Sequence, residues 1–255
     1  ATDYRSSLAV TYETSVAQLS EGTKALLQIL AWFSPEPIPR FLLETPDAPA
    51  ETIKHVSDLF RLSLAHTVGD AQAFAIHRVL QEITRQQQNH ELPPTFLMAA
   101  LVWLKRTFVG DPKDFTSWPV QLPIAPHAQA VALFGAARAI PEPSADLLNQ
   151  VALLHVSVGD YSNAKPLYNR ALSIREAAYG RDHPNIAIVI NNLGELCRVT
   201  GEFREAERLM RRAIAMLARC PGDTPHLLCA FEGGLGMLLL ETNRTAEAEK
   251  HIRKA

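Results

Sequence analysis

GDYSNAKPLYNRAL, Gly159 to Leu172, returns forty-two residues later as GEFREAERLMRRAI, Gly201 to Ile214. Gly159 and Gly201, Tyr161 and Phe203, Ala164 and Ala206, and Ala171 and Ala213 keep that one spacing, and a third step reaches Asn243, Thr245, Ala248 and Ala255. A fixed period of this length is the mark of a stacked array, in which each unit buries its apolar face only against its neighbours.

Within each period, apolar residues recur at spacings of three, four and seven, which predicts amphipathic helices. Val151, Ala152 and His155 share one face of a first helix, and Ala164, Tyr168 and Ala171 share one face of a second. Leu193, Gly194 and Cys197, then Ala206, Met210 and Ala213, occupy the same places one period on. Small residues at Ala152, Gly194 and Gly236, and at Ala164, Ala206 and Ala248, let the paired helices approach closely, with Tyr161 and Phe203 expected to wedge between hairpins. Gly159 and Gly201 stand where the first helix must stop in a left-handed turn. Asp182-His183-Pro184 punctuates a hairpin junction and starts a helix, and the helix carrying Pro166 is placed to begin near Ser162. The third repeat departs from the pattern with Gly233, Gly234 and Gly236 in its first helix, Asn243 at the turn and Thr245 at the wedge. It is expected to be the softest, since each helical glycine costs about 0.8–1.0 kcal/mol relative to alanine.

The run YGRDHPNIAIVINNLGELCRVTGEFREAERLMRRAI, Tyr179 to Ile214, resembles tetratricopeptide repeats of the long-period kind found in kinesin light chains, and the resemblance covers about Leu147 to the end. It implies that the first helices line a concave surface holding an extended partner. Asn149, Asn191, Asn192, Glu195 and Arg198 are the candidate partner-binding residues. Asn149 and Asn191 share a repeat position, and an asparagine offers both donor and acceptor, as a peptide group requires; the competing reading is that each is a solvated helix residue.

The first half has another texture. A helix is expected from about Glu13 to Phe33, a short segment Ile38–Leu43 follows two prolines, and another helix spans about Glu51 to Leu62. Two apolar runs around Gly69-Asp70 read as a small hairpin, and Arg78 to Gln88 as a helix. Helices followed by a hairpin outline a winged helix. SVAQLSEGTKALLQILAWFSPEPIPRFLLE and AIHRVLQEITRQ resemble the winged-helix segment that follows the nucleotide-binding core in STAND ATPases of the NB-ARC kind, bacterial members of which often continue into tetratricopeptide arrays. The resemblance implies a nucleotide-sensing histidine on the wing. His77 and Arg78 occupy that place, with arginine where the family has aspartate; the alternative is a histidine that merely packs within its domain. Leu92–Phe108 and about Pro126–Ile140 are expected as two helices joined by the loop GDPKDFTSWPVQLPIA, with Trp103 and Trp118 as core anchors.

The expected architecture is therefore mainly α: a winged-helix domain over residues 1–90, a connecting helical hairpin over 91–140 and an α-solenoid of about three tetratricopeptide repeats over 141–255, the last truncated. The chain opens without methionine and stops inside a helix, so it is expected to be a fragment. No G-x-x-x-x-G-K-[ST] occurs in it, so ADP or ATP is expected only in the full-length protein, whose nucleotide-binding domain would be a partner of this piece. Catalysis is not expected: there is no G-x-S-x-G elbow, and the carboxylates are spread over solvated helix faces. Cys220, His226 and Cys229 lack the spacing of a closed zinc site, so no metal is expected. Twenty-five basic and twenty-seven acidic residues balance to a net charge of -2, which removes any whole-chain pull toward nucleic acid or an anionic membrane. Arg204, Arg208, Arg211 and Arg212 are interleaved with Glu202, Glu205 and Glu207 and read as a paired, solvated face. Three cysteines, odd in number and in helical stretches, fit a reducing cytoplasm, and no apolar run approaches the roughly 20 residues of a membrane span. The function expected is sensing of a protein or peptide ligand, with self-association through an exposed array end. The rivals are a DNA-binding regulator using the winged helix and a freestanding scaffold or cargo adaptor.

Overall fold

The computed structural model describes residues 14–46, 48–49, 51–88, 94–180, 182–220 and 224–255. The helix starts expected at Glu13 and Leu92 lie outside them. The chain divides into two compact units between Ser144 and Ala145.

In the first unit the long opening helix is interrupted. Residues 14–17 are helical, the chain then turns, and α1 (Glu21–Leu30) starts afresh because Ser20 adopts an extended conformation and its Oγ accepts from the Thr23 N–H at 3.3 Å. Serine competes for backbone hydrogen bonds in this way and so begins helices better than it continues them. β1 (Ile38–Pro39), a 3₁₀ turn (Arg40–Glu44), α2 (Thr52–Arg61), β2 (Ala65–Val68), β3 (Ala73–Ile76) and α3 (Arg78–Gln88) follow. The strands form one antiparallel sheet in the order β1-β3-β2, with Ile38 opposite Phe74 and Ala65 opposite Ile76. Gly69 and Ala71 have positive φ in the hairpin connection. Leu26, Leu30, Trp32, Phe33, Leu59 and Phe74 are buried together in the core.

α3 also completes α1. The last carbonyls of a helix lack partners, and here Gln81 Nε2 donates to those of Leu30 and Phe33 at 3.2 and 3.3 Å. Arg85 donates to the Ala31 carbonyl, Gln88 Nε2 to that of Gln28, and Trp32 Nε1 donates to Gln88 Oε1 at 3.0 Å. Gln81 and Gln88 are buried, and Arg85 half-buried, for this reason.

α4 (Thr95–Thr107) and α5 (Trp118–Ala137) end the unit. α5 begins inside the stretch expected as a loop and accommodates Pro123 and Pro126 in its interior. Each proline removes a donor and crowds the preceding turn, yet Ile124, Ala125, Ala128, Val131 and Ala132 are buried along the same helix, and that burial outweighs the local preference. Trp103 is a core anchor, 2% exposed, with Nε1 donating to Thr45 Oγ1 at 3.3 Å. Trp118 is only half-buried and ties the preceding loop through the Pro112 carbonyl at 2.9 Å.

The second unit holds three helical hairpins: α6 (Pro141–Ser157) with α7 (Tyr161–Tyr179), α8 (Pro184–Val199) with α9 (Phe203–Leu217), and α10 (Pro225–Glu241) with α11 (Thr245–Ile252). The turns repeat bond for bond. Asp160, Glu202 and Arg244 donate their N–H to the carbonyls of His155, Cys197 and Leu239 at 2.7, 2.7 and 2.8 Å, while Gly159, Gly201 and Asn243 donate to Val156, Arg198 and Leu240. This is the 6→1 and 5→2 pair of a Schellman motif, whose residue must have positive φ; φ is 83°, 81° and 59° in turn. Asparagine tolerates that region better than other side chains. Gly159→Ala is therefore expected to cost about 1 kcal/mol, and Asn243→Ala a similar amount, read from urea unfolding curves with unchanged slope.

The predicted close approaches are present. A Cβ on Gly194 would lie 2.9 Å from Met210 Cγ and 3.4 Å from the Ala206 carbonyl, and one on Gly236 would lie 2.6 Å from Ile252 Cγ1 and 3.5 Å from the Ala248 carbonyl. Ala152, Ala164, Ala206 and Ala248 are fully buried. The wedge expectation needs correction: Tyr161 and Phe203 are 38% and 40% exposed, because each is the first residue of its helix, where one side of the ring faces water. His183 caps α8 with Nδ1 accepting from the Asn185 N–H at 3.1 Å, and Pro184 takes the first position, as the sequence predicts.

Candidate functional site

The first helices α6, α8 and α10 carry the candidate residues, and two of them meet between repeats. Asn192 Nδ2 donates to Asn149 Oδ1 at 3.0 Å. Thus the contact joins the position one residue after the matched pair, not Asn191 itself. Asn149 and Asn191 are 7% and 9% exposed, Asn192 is half-buried, and Asn191 Oδ1 is out of solvent with no hydrogen-bond partner. A buried amide oxygen in that condition costs free energy.

Glu195 and Arg198 extend the row into the third repeat. Arg198 Nε donates to Glu195 Oε2 at 2.9 Å, and its Nη1 reaches Glu241 Oε1 of α10. The three side chains are 28%, 24% and 35% exposed, enough to be reached by another molecule. Burial works to lower the Arg198 pKa, but the hydrogen bond it donates to Glu195 and the charges of Glu195 and Glu241 more than offset it and leave it raised. Gly234 explains the fit: a Cβ there would lie 2.6 Å from Glu195 Oε1, so glycine lets the carboxylate lie against α10. In the sequence Glu241 carries no signal of this role, and Gly234 stands out only as a glycine that softens its helix. The forty-two-residue step from Val199 to Glu241 changes residue type, and only the placement of Arg198 shows what Glu241 does.

On the second helices three of the four arginines of α9 are paired. Arg208 meets Glu205, Arg211 meets Glu207 and Glu247, and Arg212 meets Glu176. A cleft of about 550 Å³ on that side is lined by Glu176, Asp182, Arg212 and Arg219 and is crossed by their own ion pairs, Arg219 holding Asp182 below the usual carboxylate range.

In the first unit, His77 follows β3 directly and its carbonyl accepts from the Leu80 and Gln81 N–H groups at 2.8 and 3.1 Å, opening α3. The side chains of His77 and Arg78 are exposed, so His77 is not a packed core histidine. In α2, Lys54 pairs with Glu51 at 2.9 Å and Arg61 with Asp58 at 3.0 Å. Among the described residues no group of three or more metal-ligating side chains occurs, and no helix is long and apolar enough to cross a membrane.

Residues 143–219 match the tetratricopeptide repeat family, and residues 14–92 match a domain of unknown function, DUF7779. Protein KINESIN LIGHT CHAIN-RELATED 1 of Arabidopsis thaliana is 26% identical over 115 residues, which is 42% of this chain and 19% of that protein, so the chain spans about a fifth of its relative. The crystal structure of BtubC (BKLC) from P. vanneervenii superposes with a TM-score of 0.50 at 16% identity, covering 95% of this chain and 89% of that one, a likeness of fold. The Signal Transduction ATPase with Numerous Domains (STAND) protein with a tetratricopeptide repeat sensor from Pyrococcus horikoshii covers 96% of this chain and 46% of its own, with a TM-score of 0.35 at 14% identity. The first two hairpins of the second unit are therefore tetratricopeptide repeats, a protein-interaction architecture. The third hairpin lies beyond the matched residues but keeps the same turn hydrogen bonds.

Proposed function

We propose that the chain is the ligand-sensing and autoregulatory part of a signal-transducing STAND ATPase, in which the tetratricopeptide unit binds a protein or peptide along its first-helix face. The observation that carries the binding half is the polar row running from Asn149 through Asn192, Glu195 and Arg198 to Glu241, which crosses three repeats, is anchored on buried Asn149 and is partly open to solvent from Asn192 to Glu241. Side chains fixed by one another lose less entropy when they engage a peptide backbone. Replacing both Asn149 and Asn192 by alanine is expected to weaken binding to immobilised extended nonapeptides at least about tenfold, on the basis of two lost hydrogen bonds. An unchanged peptide profile, with the melting curve preserved, would remove this face from the proposal.

For the regulatory half, the support is the order of elements in the first unit. Helix α1, strand β1, the 3₁₀ turn, helix α2 and the β2–β3 hairpin, with the sheet ordered β1-β3-β2, follow the winged-helix plan. In this reading residues 1–90 are the winged helix, 91–140 connect it to the array, and His77 and Arg78 face a nucleotide-binding domain that supplies ADP or ATP. Ligand capture would bias that switch by preferring one of its states. The reading frame before Ala1 tests it directly: a G-x-x-x-x-G-K-[ST] motif upstream supports the ATPase, and a start codon at that point leaves a freestanding scaffold. DNA binding through α2 is the weaker reading, because its cations are engaged by their own carboxylates and would have to abandon them to meet phosphate.

A further inference from the structure

Charge is divided between the two ranks of helices in the repeats. The first helices α6, α8 and α10 carry five acidic residues, Glu142, Asp146, Glu195, Glu232 and Glu241, and one basic residue, Arg198. The second helices α7, α9 and α11 carry eight basic and five acidic residues. Two of the first-helix carboxylates are met from the second helices, Asp146 by Arg175 and Glu232 by His251, with Lys254 just past α11 also reaching Glu232. Glu195 and Glu241 share the single guanidinium of Arg198, which leaves that row one negative charge in excess. Beside it, α10 turns Met237 and Leu240 to solvent, 52% and 40% exposed.

Resting on the peptide-binding reading above, we propose that the segment held on this face is cationic and amphipathic, with a lysine or arginine meeting Glu241 and a neighbouring aliphatic side chain covering Met237 and Leu240. A partner lysine would neutralise the excess charge and remove apolar surface from water in one step, whereas an acidic segment would have to compete with two carboxylates for one arginine. Charge complementarity of this kind acts on selectivity and on association rate, and both fade as salt screens the pair.

Fluorescein-labelled nonapeptides of three Leu-Lys-Ser repeats, three Leu-Glu-Ser repeats and three Leu-Gln-Ser repeats test this by fluorescence anisotropy on the 255-residue chain. The lysine peptide is expected to bind at least about fivefold more tightly than the glutamate peptide at low ionic strength, with the gap closing in high salt. Arg198→Gln is expected to strengthen the lysine peptide and Glu241→Gln to weaken it, each about fivefold, a sign reversal that loss of structure alone does not produce. Preference for the glutamate or glutamine peptide, or indifference of the lysine peptide to both variants, overturns the cationic assignment and leaves peptide binding standing. Failure of all three peptides to bind overturns both.

Discussion

Gly194→Val is expected to destabilise the repeat unit by about 3 kcal/mol, the upper part of the range for overpacking a tight core. Even the first added carbon would sit 2.9 Å from Met210 Cγ and 3.4 Å from the Ala206 carbonyl, and valine brings two methyl groups more. Met210 is fully buried, so its side chain has nowhere to retreat, and α8 and α9 must separate. Gly233→Ala is the matched control. A Cβ at Gly233 meets only Ala255 Cβ at 3.6 Å, an ordinary contact. That substitution is expected to stabilise by up to about 0.8–1.0 kcal/mol through helix propensity. Urea unfolding monitored by circular dichroism reads both; a Gly194→Val protein as stable as the parent would mean the hairpin is not packed through this point.

The second large effect is a pH dependence in the first unit. His127 is fully buried in α5, its Nε2–H donating to the Pro37 carbonyl at 3.2 Å and its ring 5.4 Å from that of Phe33. Nδ1 has no partner, so a proton placed there would be buried without an acceptor. Burial pulls the His127 pKa down from 6.5 to about 4, against the smaller opposing pull of the Pro37 and Ser34 backbone. A histidine whose pKa is depressed on folding binds its proton more readily when unfolded. Its contribution is therefore complete above about pH 6.5 and is lost as pH falls toward 4, at about 1.4 kcal/mol per pH unit through that window. Between pH 7 and pH 5 the parent protein is expected to lose about 2 kcal/mol more stability than His127→Gln, which carries no titrating proton. Parallel curves for the two proteins across that interval would show that His127 is charged or solvated in the folded state.

The repeat unit was legible because its instructions are local and recur. A glycine or asparagine with positive φ ends each first helix, and small residues recur where two helices touch, so a period of forty-two in the letters becomes a period of forty-two in the hydrogen bonds. The hairpin over 65–76 and helix Arg78–Gln88 were legible from alternation and helical spacing in the same way. The start of α5 was not. Pro123 and Pro126 argue locally for a loop, and only the burial of Ile124, Ala128 and Val131 against the rest of the unit makes them helical. The break at Ser20 was missed for the opposite reason, an apolar pattern that runs on through a residue whose hydroxyl caps a new helix.

The site was legible in part. Asn149, Asn192, Glu195 and Arg198 could be placed on one helix rank from their spacing, but spacing could not distinguish Asn191 from Asn192, which differ by one step around the helix. Lys165 with Glu202 at 3.1 Å and Glu207 with Arg244 at 2.6 Å are the same inter-repeat contact forty-two residues apart with the charges exchanged. A search for recurring letters passes over such a pair, since the contact conserves opposite sign and not residue type. The sequence by itself determined the hairpins, their turns and their close approaches, because these depend on backbone conformation and side-chain size within a few residues. Tertiary structure decided which asparagine bridges two repeats, what Arg198 holds, and that His127 is buried with Nδ1 lacking a hydrogen-bond partner, because each depends on groups that only the folded chain brings within a few ångströms.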